Sequence, residues 1–160
     1  MASLSDLLSE TTKSKLIAST VKVGSVYRMK LTPAEGVIPK KSEDTSRNKY
    51  FVVVGFDEDG IAIGFVLINT DINPNLSEEV KLLHYPILHK NYPFLENTNR
   101  FVDCNNIKRI TREKFNSLIR SDSEAGQLNE EDLQYIFSTL KESPTVTTKE
   151  LLKYGISTKG

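Results

Sequence analysis

The chain has 160 residues, of which 21 are basic and 21 acidic, so its formal net charge is zero. This balance excludes a global field that would attract nucleic acid or a membrane, and any such binding has to come from a local patch. The single cysteine, Cys104, excludes an internal disulfide. Since no run approaches the roughly 20 apolar residues of a membrane span, and residues 1–25 lack the apolar core of a signal peptide, we expect one cytoplasmic domain over residues 1–160.

The first 22 residues predict a helical extension. Ser3 with Asp6 three residues later suits a helix N-cap, and three leucines that follow fall on one face. The apolar stripe is short and interrupted by Ser and Thr. We therefore expect a helix over residues 4–18 that lies across one end of the fold rather than inside its core.

The centre of the chain reads as a β-hairpin. The runs KYFVVVGF and IAIGFVLINT flank the turn DEDG at residues 57–60, and both runs are dense in Val, Ile and Phe. They are too apolar at consecutive positions to be half-exposed, so the pattern predicts central strands with other elements packed around them. A further strand, Ser25–Leu31, follows Gly24.

A long polar segment, residues 32–48, separates this first strand from the hairpin. Prolines and a glycine break regular structure there, and Lys40, Lys41 and Arg47 make it locally basic. A connection of this length inside a compact domain is typical of a functional loop or of a disordered one. Both interpretations stay open, because most charged surface loops are only solvated.

Shorter strands follow the hairpin, at residues 81–88, 100–104 and 106–110, the last two forming either two strands or one bent strand. Pro86 places the first of them near a sheet edge. The order of one helix, five or six strands and three helices indicates an α+β fold, mainly β, with an antiparallel sheet and helices at one end.

Helices dominate the end of the chain. Thr111 caps the first of them, residues 121–127 read as a linker, and Asn129 and Thr147 cap two more. Residues 120–160 thus form a C-terminal helical extension to a core over residues 23–119.

That core carries a resemblance to a known family. It opens with Gly24-Ser25-Val26-Tyr27, continues through the polar loop and the two hairpin strands, and closes with FVDCNNIKRITREKF. This pattern resembles the MazF/PemK family of toxin ribonucleases. The resemblance implies an SH3-like small antiparallel barrel, an endoribonuclease of a bacterial toxin–antitoxin system, an antitoxin-like protein partner and a homodimer.

The resemblance also implies a site. In the ribonuclease members a basic residue, usually Arg, begins the second strand, and a Thr or Ser lies near the end of the third. These positions fall on Lys49, with Arg47 as a substitute, and on Asn69, with Thr70 beside it. Lysine lacks the planar fork that holds a phosphate bidentately, and asparagine can donate a hydrogen bond but is not a hydroxyl.

Cleavage of RNA through its 2′-hydroxyl needs a base, an acid and a cation for the phosphorane charge. Arg47 and Lys49 can supply the cation, while Lys40 and Lys41 would draw single-stranded RNA in through the loop. Three strand aromatics could stack on bases, although aromatics at such positions more often belong to a core: Tyr27, Tyr50 and Phe65.

A base is the missing part. His84 and His89 are the only histidines, and strand alternation turns them to opposite faces without a carboxylate at metal-site spacing. Cys104 has no histidine nearby in sequence and reads as a small strand residue rather than a nucleophile. We expect neither a metal nor a cofactor.

A second hypothesis is a non-catalytic SH3-like interaction module, in which the helices from Asn129 onward dock a protein partner. The added helices favour this hypothesis, and the basic cluster favours RNA. Salt separates the two, because RNA binding by about four basic residues weakens steeply with ionic strength and a hydrophobic helix interface does not.

Overall fold

The computed structural model describes residues 21–38 and 45–156. The helix predicted over residues 4–18, and Lys40 and Lys41, lie outside these residues. Within them the chain forms seven strands: β1 Ser25–Leu31, β2 Arg47–Phe56, β3 Ala62–Asn69, β4 His84–Ile87, β5 Arg100–Asp103, β6 Lys108–Thr111 and β7 Glu124–Gln127. It also forms four α-helices: α1 Glu78–Lys81, α2 Arg112–Leu118, α3 Glu130–Glu142 and α4 Thr148–Lys153.

All seven strands belong to one sheet with antiparallel pairing, in the order β4-β5-β3-β2-β1-β7, and β6 also pairs with β3. The two short strands β5 and β6 share one edge of β3, since Ile68 pairs with Val102 and Ile63 with Ile110. The chain leaves the sheet between them, so of the two predicted alternatives the structure has two separate strands, and the sheet curls into a half-barrel. The fold is therefore α+β and mostly β.

The β2–β3 hairpin forms the centre of the sheet, as the sequence predicts. Tyr50 pairs with Ile68 and Phe56 with Ile63, and the Asp57 carboxylate closes the turn by accepting the Ile61 N–H at 2.8 Å. Residues 51–55 and 62–68 are all buried. Because successive side chains of a strand point to opposite faces, the burial of consecutive residues means that both faces are covered.

One face of the hairpin carries an aromatic core. The rings of Tyr27 and Phe51 lie 6.0 Å apart, and those of Phe51 and Phe65 lie 4.7 Å apart. Helix α2 closes this side with Phe115, whose ring meets Tyr27 edge-on at 5.2 Å. Thr111 caps α2 as predicted, by accepting the Lys114 N–H. The aromatic residues of three adjacent strands and one helix thus form a single cluster.

Helices α3 and α4 cover the opposite face. Their buried residues Ile136, Leu140 and Leu151 belong to one cluster with sheet residues Val52, Val54, Val66 and Val102. Asn129 and Thr147 cap the two helices as predicted. The C-terminal helices therefore pack on the sheet and bury their apolar faces there.

A glycine pair lets α4 approach the sheet closely. Gly55 and Gly64 pair across β2 and β3, and Tyr154, which ends α4, lies against both. A Cβ atom at Gly55 would lie 2.1 Å from the Tyr154 carbonyl oxygen, and one at Gly64 would lie 2.8 Å from Cδ1 of the ring. Both positions require glycine, because no side chain fits between the strand and Tyr154.

The linker predicted over residues 121–127 is wrong. Glu124–Gln127 is the edge strand β7, which pairs with β1 through Ser25, Val26 and Tyr27. This strand has no apolar alternation to signal it. It forms because the outer edge of β1 presents backbone N–H and C=O groups that need partners, and any extended backbone can satisfy them.

The strand predicted over residues 81–88 is only half right. Glu78–Lys81 instead forms a helical turn capped by the Ser77 hydroxyl, and the extended part is His84–Ile87. Pro86 does mark an edge, since β4 is the outermost strand of the sheet. The Ser77 cap stabilises helical backbone up to Lys81, so the first residue of the predicted strand is helical rather than extended.

The beginning of the polar segment after β1 is anchored to α2. The Lys114 ammonium donates to both carboxylate oxygens of Glu35, at 2.6 and 2.7 Å, and to the Thr32 hydroxyl at 2.8 Å. The Glu35 side chain is only 3% exposed. A buried carboxylate of this kind needs its partner, so the described start of the segment is a packed part of the fold.

We expect Gly64→Ala to lower the free energy of unfolding by about 1–3 kcal/mol, because overpacking costs this much in a tight core. Tyr154→Ala is also expected to destabilise the fold, since it removes the ring that packs against Gly64. In the double variant the new methyl group no longer meets the ring. The destabilisation of the double variant should therefore be smaller than the sum of the destabilisations of the two single variants. Denaturant unfolding of the four proteins measures this coupling, and strictly additive costs would contradict it.

A second prediction concerns alkaline pH. Burial, together with the nearby Glu124, raises the pKa of the Tyr27 hydroxyl to about 12, from about 10 in an unfolded chain. A raised pKa stabilises the folded state below pH 10, and this contribution is lost as pH rises from about 10 to about 12. Wild type should thus lose stability relative to Tyr27→Phe over this window. A difference that stays constant with pH would contradict the assignment.

Candidate functional site

The four residues that the family resemblance implies as catalytic line one cavity of about 630 Å³: Arg47, Lys49, Asn69 and Thr70. The other walls come from residues 71–74, Leu76, His84 and Asp103. A volume in this range is typical of a ligand site. The cavity lies where β2 begins and β3 ends, at the end of the hairpin away from the DEDG turn.

The hairpin register brings Lys49 and Asn69 together. Tyr50 pairs with Ile68, so the residues one step further on are neighbours on the same face. Lys49 Nζ donates to Asn69 Oδ1 at 2.5 Å. Because the amide oxygen accepts this hydrogen bond, the amide nitrogen is the group that Asn69 can offer as a donor to a ligand oxygen.

Thr70 is held by a residue that sequence reasoning missed. Arg100 at the start of β5 donates from Nη1 to the Thr70 hydroxyl at 3.0 Å. Its guanidinium also lies over the Tyr50 ring, 5.1 Å from the centroid. The neighbourhood arises from the pairing of β5 with the end of β3, and nothing in the local sequence around Arg100 signals it.

His84 and Asp103 add a titratable pair to the cavity, and they pair directly across β4 and β5. His84 Nδ1 lies 3.0 Å from the Val80 carbonyl oxygen. A carbonyl only accepts, so Nδ1 carries the hydrogen and the neutral ring has its lone pair on Nε2. That Nε2 lies 3.7 Å from Asp103 Oδ1, an ion pair when the ring is protonated.

The expectation that no carboxylate lies at metal-site spacing from either histidine does not cover Asp103, which reaches His84 from the neighbouring strand. The two histidines do differ in surroundings. His84 is buried in the sheet, whereas His89 is exposed in a 3₁₀ turn and does not line the cavity. Spacing along one segment cannot reveal a partner that strand pairing supplies.

The strand that carries His84 is tied to α3 by a shared carboxylate. Asp132 accepts from the Tyr85 hydroxyl at 2.7 Å and also from the Tyr92 hydroxyl. Burial, followed by this hydrogen bond, raises the pKa of both tyrosines well above their usual range. The edge strand is thus held against the helix next to it.

Charge is divided across the cavity. Arg47 and Lys49 come from β2 on one side, and the pair of His84 and Asp103 comes from β4 and β5 on the other, with Asp71 in the connecting wall. The cavity can therefore bind an anionic group beside β2, and it has a proton acceptor beside β4.

Two of the three predicted stacking aromatics are core residues. Tyr27 and Phe65 are 1% and 0% exposed, so neither can contact a base. Tyr50 is half-buried, and the guanidinium groups of Arg28 and Arg100 lie 5.7 and 5.1 Å from its ring centroid. Among the three, Tyr50 alone keeps a surface that a base could reach.

No protein-family model matches the chain, and no curated protein matches it. Among residues 21–38 and 45–156, no group of three or more His, Cys, Asp or Glu side chains could hold a metal ion. No helix in these same ranges is long and apolar enough to cross a membrane.

Cys104 lies directly after Asp103 but is fully buried. Burial, with a smaller contribution from the Asp103 charge, raises the pKa of its thiol far above the usual range. The thiolate is the reactive form, so we expect no reaction with a disulfide reagent at pH 8 in the native protein and full reaction after unfolding. Rapid labelling of the native protein would contradict this buried placement.

Proposed function

We propose that this protein is a metal-independent endoribonuclease that acts on single-stranded RNA, as a toxin of a toxin–antitoxin system would. The observation that carries the proposal is the convergence of Arg47, Lys49, Asn69 and Thr70 on one cavity. The resemblance implies these residues from their order in the chain, and β2 and β3 bring them together at one end of the hairpin.

The chemistry of the cavity suits a phosphodiester. Arg47 and Lys49 can neutralise the phosphate and the charge that develops on the phosphorane. The Asn69 amide, oriented by Lys49 at 2.5 Å, can donate to a phosphate oxygen. Thr70 is positioned by Arg100 at 3.0 Å and can bind a second oxygen. These four groups line one cavity at the ends of two paired strands, which favours precise placement of the scissile bond.

The alternative interaction module has weaker support. Helices α3 and α4 direct Ile136, Leu140 and Leu151 into the protein's own core. Tyr135 and Leu152 are the large apolar residues exposed on these two helices, and they offer little surface for a partner. An antitoxin-like protein that lies across the cavity, and a homodimer, belong to the ribonuclease proposal.

The test is cleavage of a mixed single-stranded RNA in the presence of a chelator. Wild type is expected to produce fragments, and Arg47→Ala/Lys49→Ala should lower the rate by about 10²-fold or more, since one lost electrostatic donor alone costs about 10²–10³ in kcat. Lys90→Ala/Lys149→Ala is the matched control. Like the first double variant it removes two positive charges, but it removes them from exposed residues that do not line the cavity.

The outcomes separate cleanly. Loss of cleavage in the first double variant with an unchanged rate in the control supports a site at the start of β2. Equal losses in both variants would indicate a nonspecific effect of charge and overturn the assignment of the site. Intact RNA with wild type would overturn the catalytic proposal, and a salt-insensitive protein complex would then favour the interaction module.

A further inference from the structure

We infer that His84 is the general base of this reaction and that Asp103 stabilises the imidazolium that forms. The inference rests on the proposed ribonuclease function and adds two residues that the family resemblance does not assign. It supplies the group that Arg47, Lys49, Asn69 and Thr70 lack, because none of these four can accept a proton readily near neutral pH.

The geometry fixes which nitrogen acts. The Val80 carbonyl holds the hydrogen on Nδ1 at 3.0 Å, so Nε2 carries the lone pair and is the proton acceptor. Asp103 Oδ1 lies 3.7 Å from Nε2, too far to hold it by a hydrogen bond. Since His84 is one of the residues that line the cavity, Nε2 is the acceptor for the proton of a ligand hydroxyl, and the resulting cation has a carboxylate beside it.

The carboxylate is itself held in place. The Asn105 N–H donates to Asp103 Oδ1 at 3.0 Å, which fixes this oxygen at the end of β5. The His84 side chain is 4% exposed and that of Asp103 is 24% exposed. In such a partly dry site an ion pair is stronger than in water, and Asp103 is the carboxylate that lies beside the ring when the reaction protonates it.

Other charged groups around His84 come from three elements. Arg47 and Lys49 reach the cavity from β2, and Asp71 reaches it from the segment after β3. On α1, Lys81 and Glu78 pair with each other at 3.2 Å. Among the ion pairs of the described residues, the partner of His84 is Asp103, which lies within 4 Å of the ring.

The step is a transesterification. His84 Nε2 takes the proton of the 2′-hydroxyl, and the 2′-oxygen forms a bond to phosphorus while the bond from phosphorus to the 5′-oxygen breaks. The departing 5′-oxygen takes a proton from the Lys49 ammonium. The products are a 2′,3′-cyclic phosphate and a 5′-hydroxyl; the imidazolium then returns its proton to solvent, and Lys49 regains one, so no water is consumed.

The experiment compares the two histidines. For wild type, His84→Gln and His89→Gln, kcat and KM are measured on single-stranded RNA from pH 5 to 9, with the melting temperature and RNA affinity of each protein. Wild type should lose activity as pH falls, because protonation removes the base. His84→Gln should lower kcat by about 10²–10⁴-fold, leave KM nearly unchanged and abolish this acid limb, while His89→Gln should match wild type.

Asp103→Asn keeps the inference testable if His84→Gln does not fold. It removes the partner of the imidazolium and keeps the shape of the side chain, so kcat should fall while KM and RNA affinity stay close to the wild-type values. If wild type cleaves RNA and both variants keep the wild-type rate and acid limb, the inference fails and the ribonuclease proposal stands. If wild type binds RNA without cleaving it, both fail.

Discussion

Burial of the β2–β3 hairpin on both faces is the constraint on which the rest of the structure depends. Residues 51–55 and 62–68 leave no polar side for solvent, so each face needs its own cover. The aromatic cluster and α2 cover one face, and α3 and α4 cover the other. The helices beyond residue 120 are therefore part of the core, because without them a row of valines on the sheet would be exposed to water.

The candidate site lies where this burial ends. Beyond the apolar stretch, β2 starts with Arg47 and Lys49, and β3 finishes with Asn69. The same two strands thus build the core with their central residues and the cavity with their polar ends. A site carried by strands that are fixed on both faces has little freedom to move, and this rigidity would suit the reaction that we propose.

The second half of the cavity depends on the break between β5 and β6. Since β6 pairs with the first half of β3 and β5 with its end, the break brings β5 beside Asn69 and leaves room for β4 at the outer edge. Asp103 and His84 then face the hairpin ends from the far side. Arg100 links the two halves through Thr70 at 3.0 Å. A bend in the sheet therefore places basic groups and a histidine around one space.

Local patterns were enough to predict β1, the central hairpin, and the helix caps at Thr111, Asn129 and Thr147, because alternation and capping act between residues close in sequence. The hairpin register then brings the four residues implied by the resemblance to one cavity, and their role in catalysis stays a prediction. Strand β7, the pairing of His84 with Asp103, and the slot for Tyr154 could not be predicted. Each arises when distant segments meet through backbone pairing or close approach, which demands no particular side chain at either partner and so leaves no pattern in the sequence.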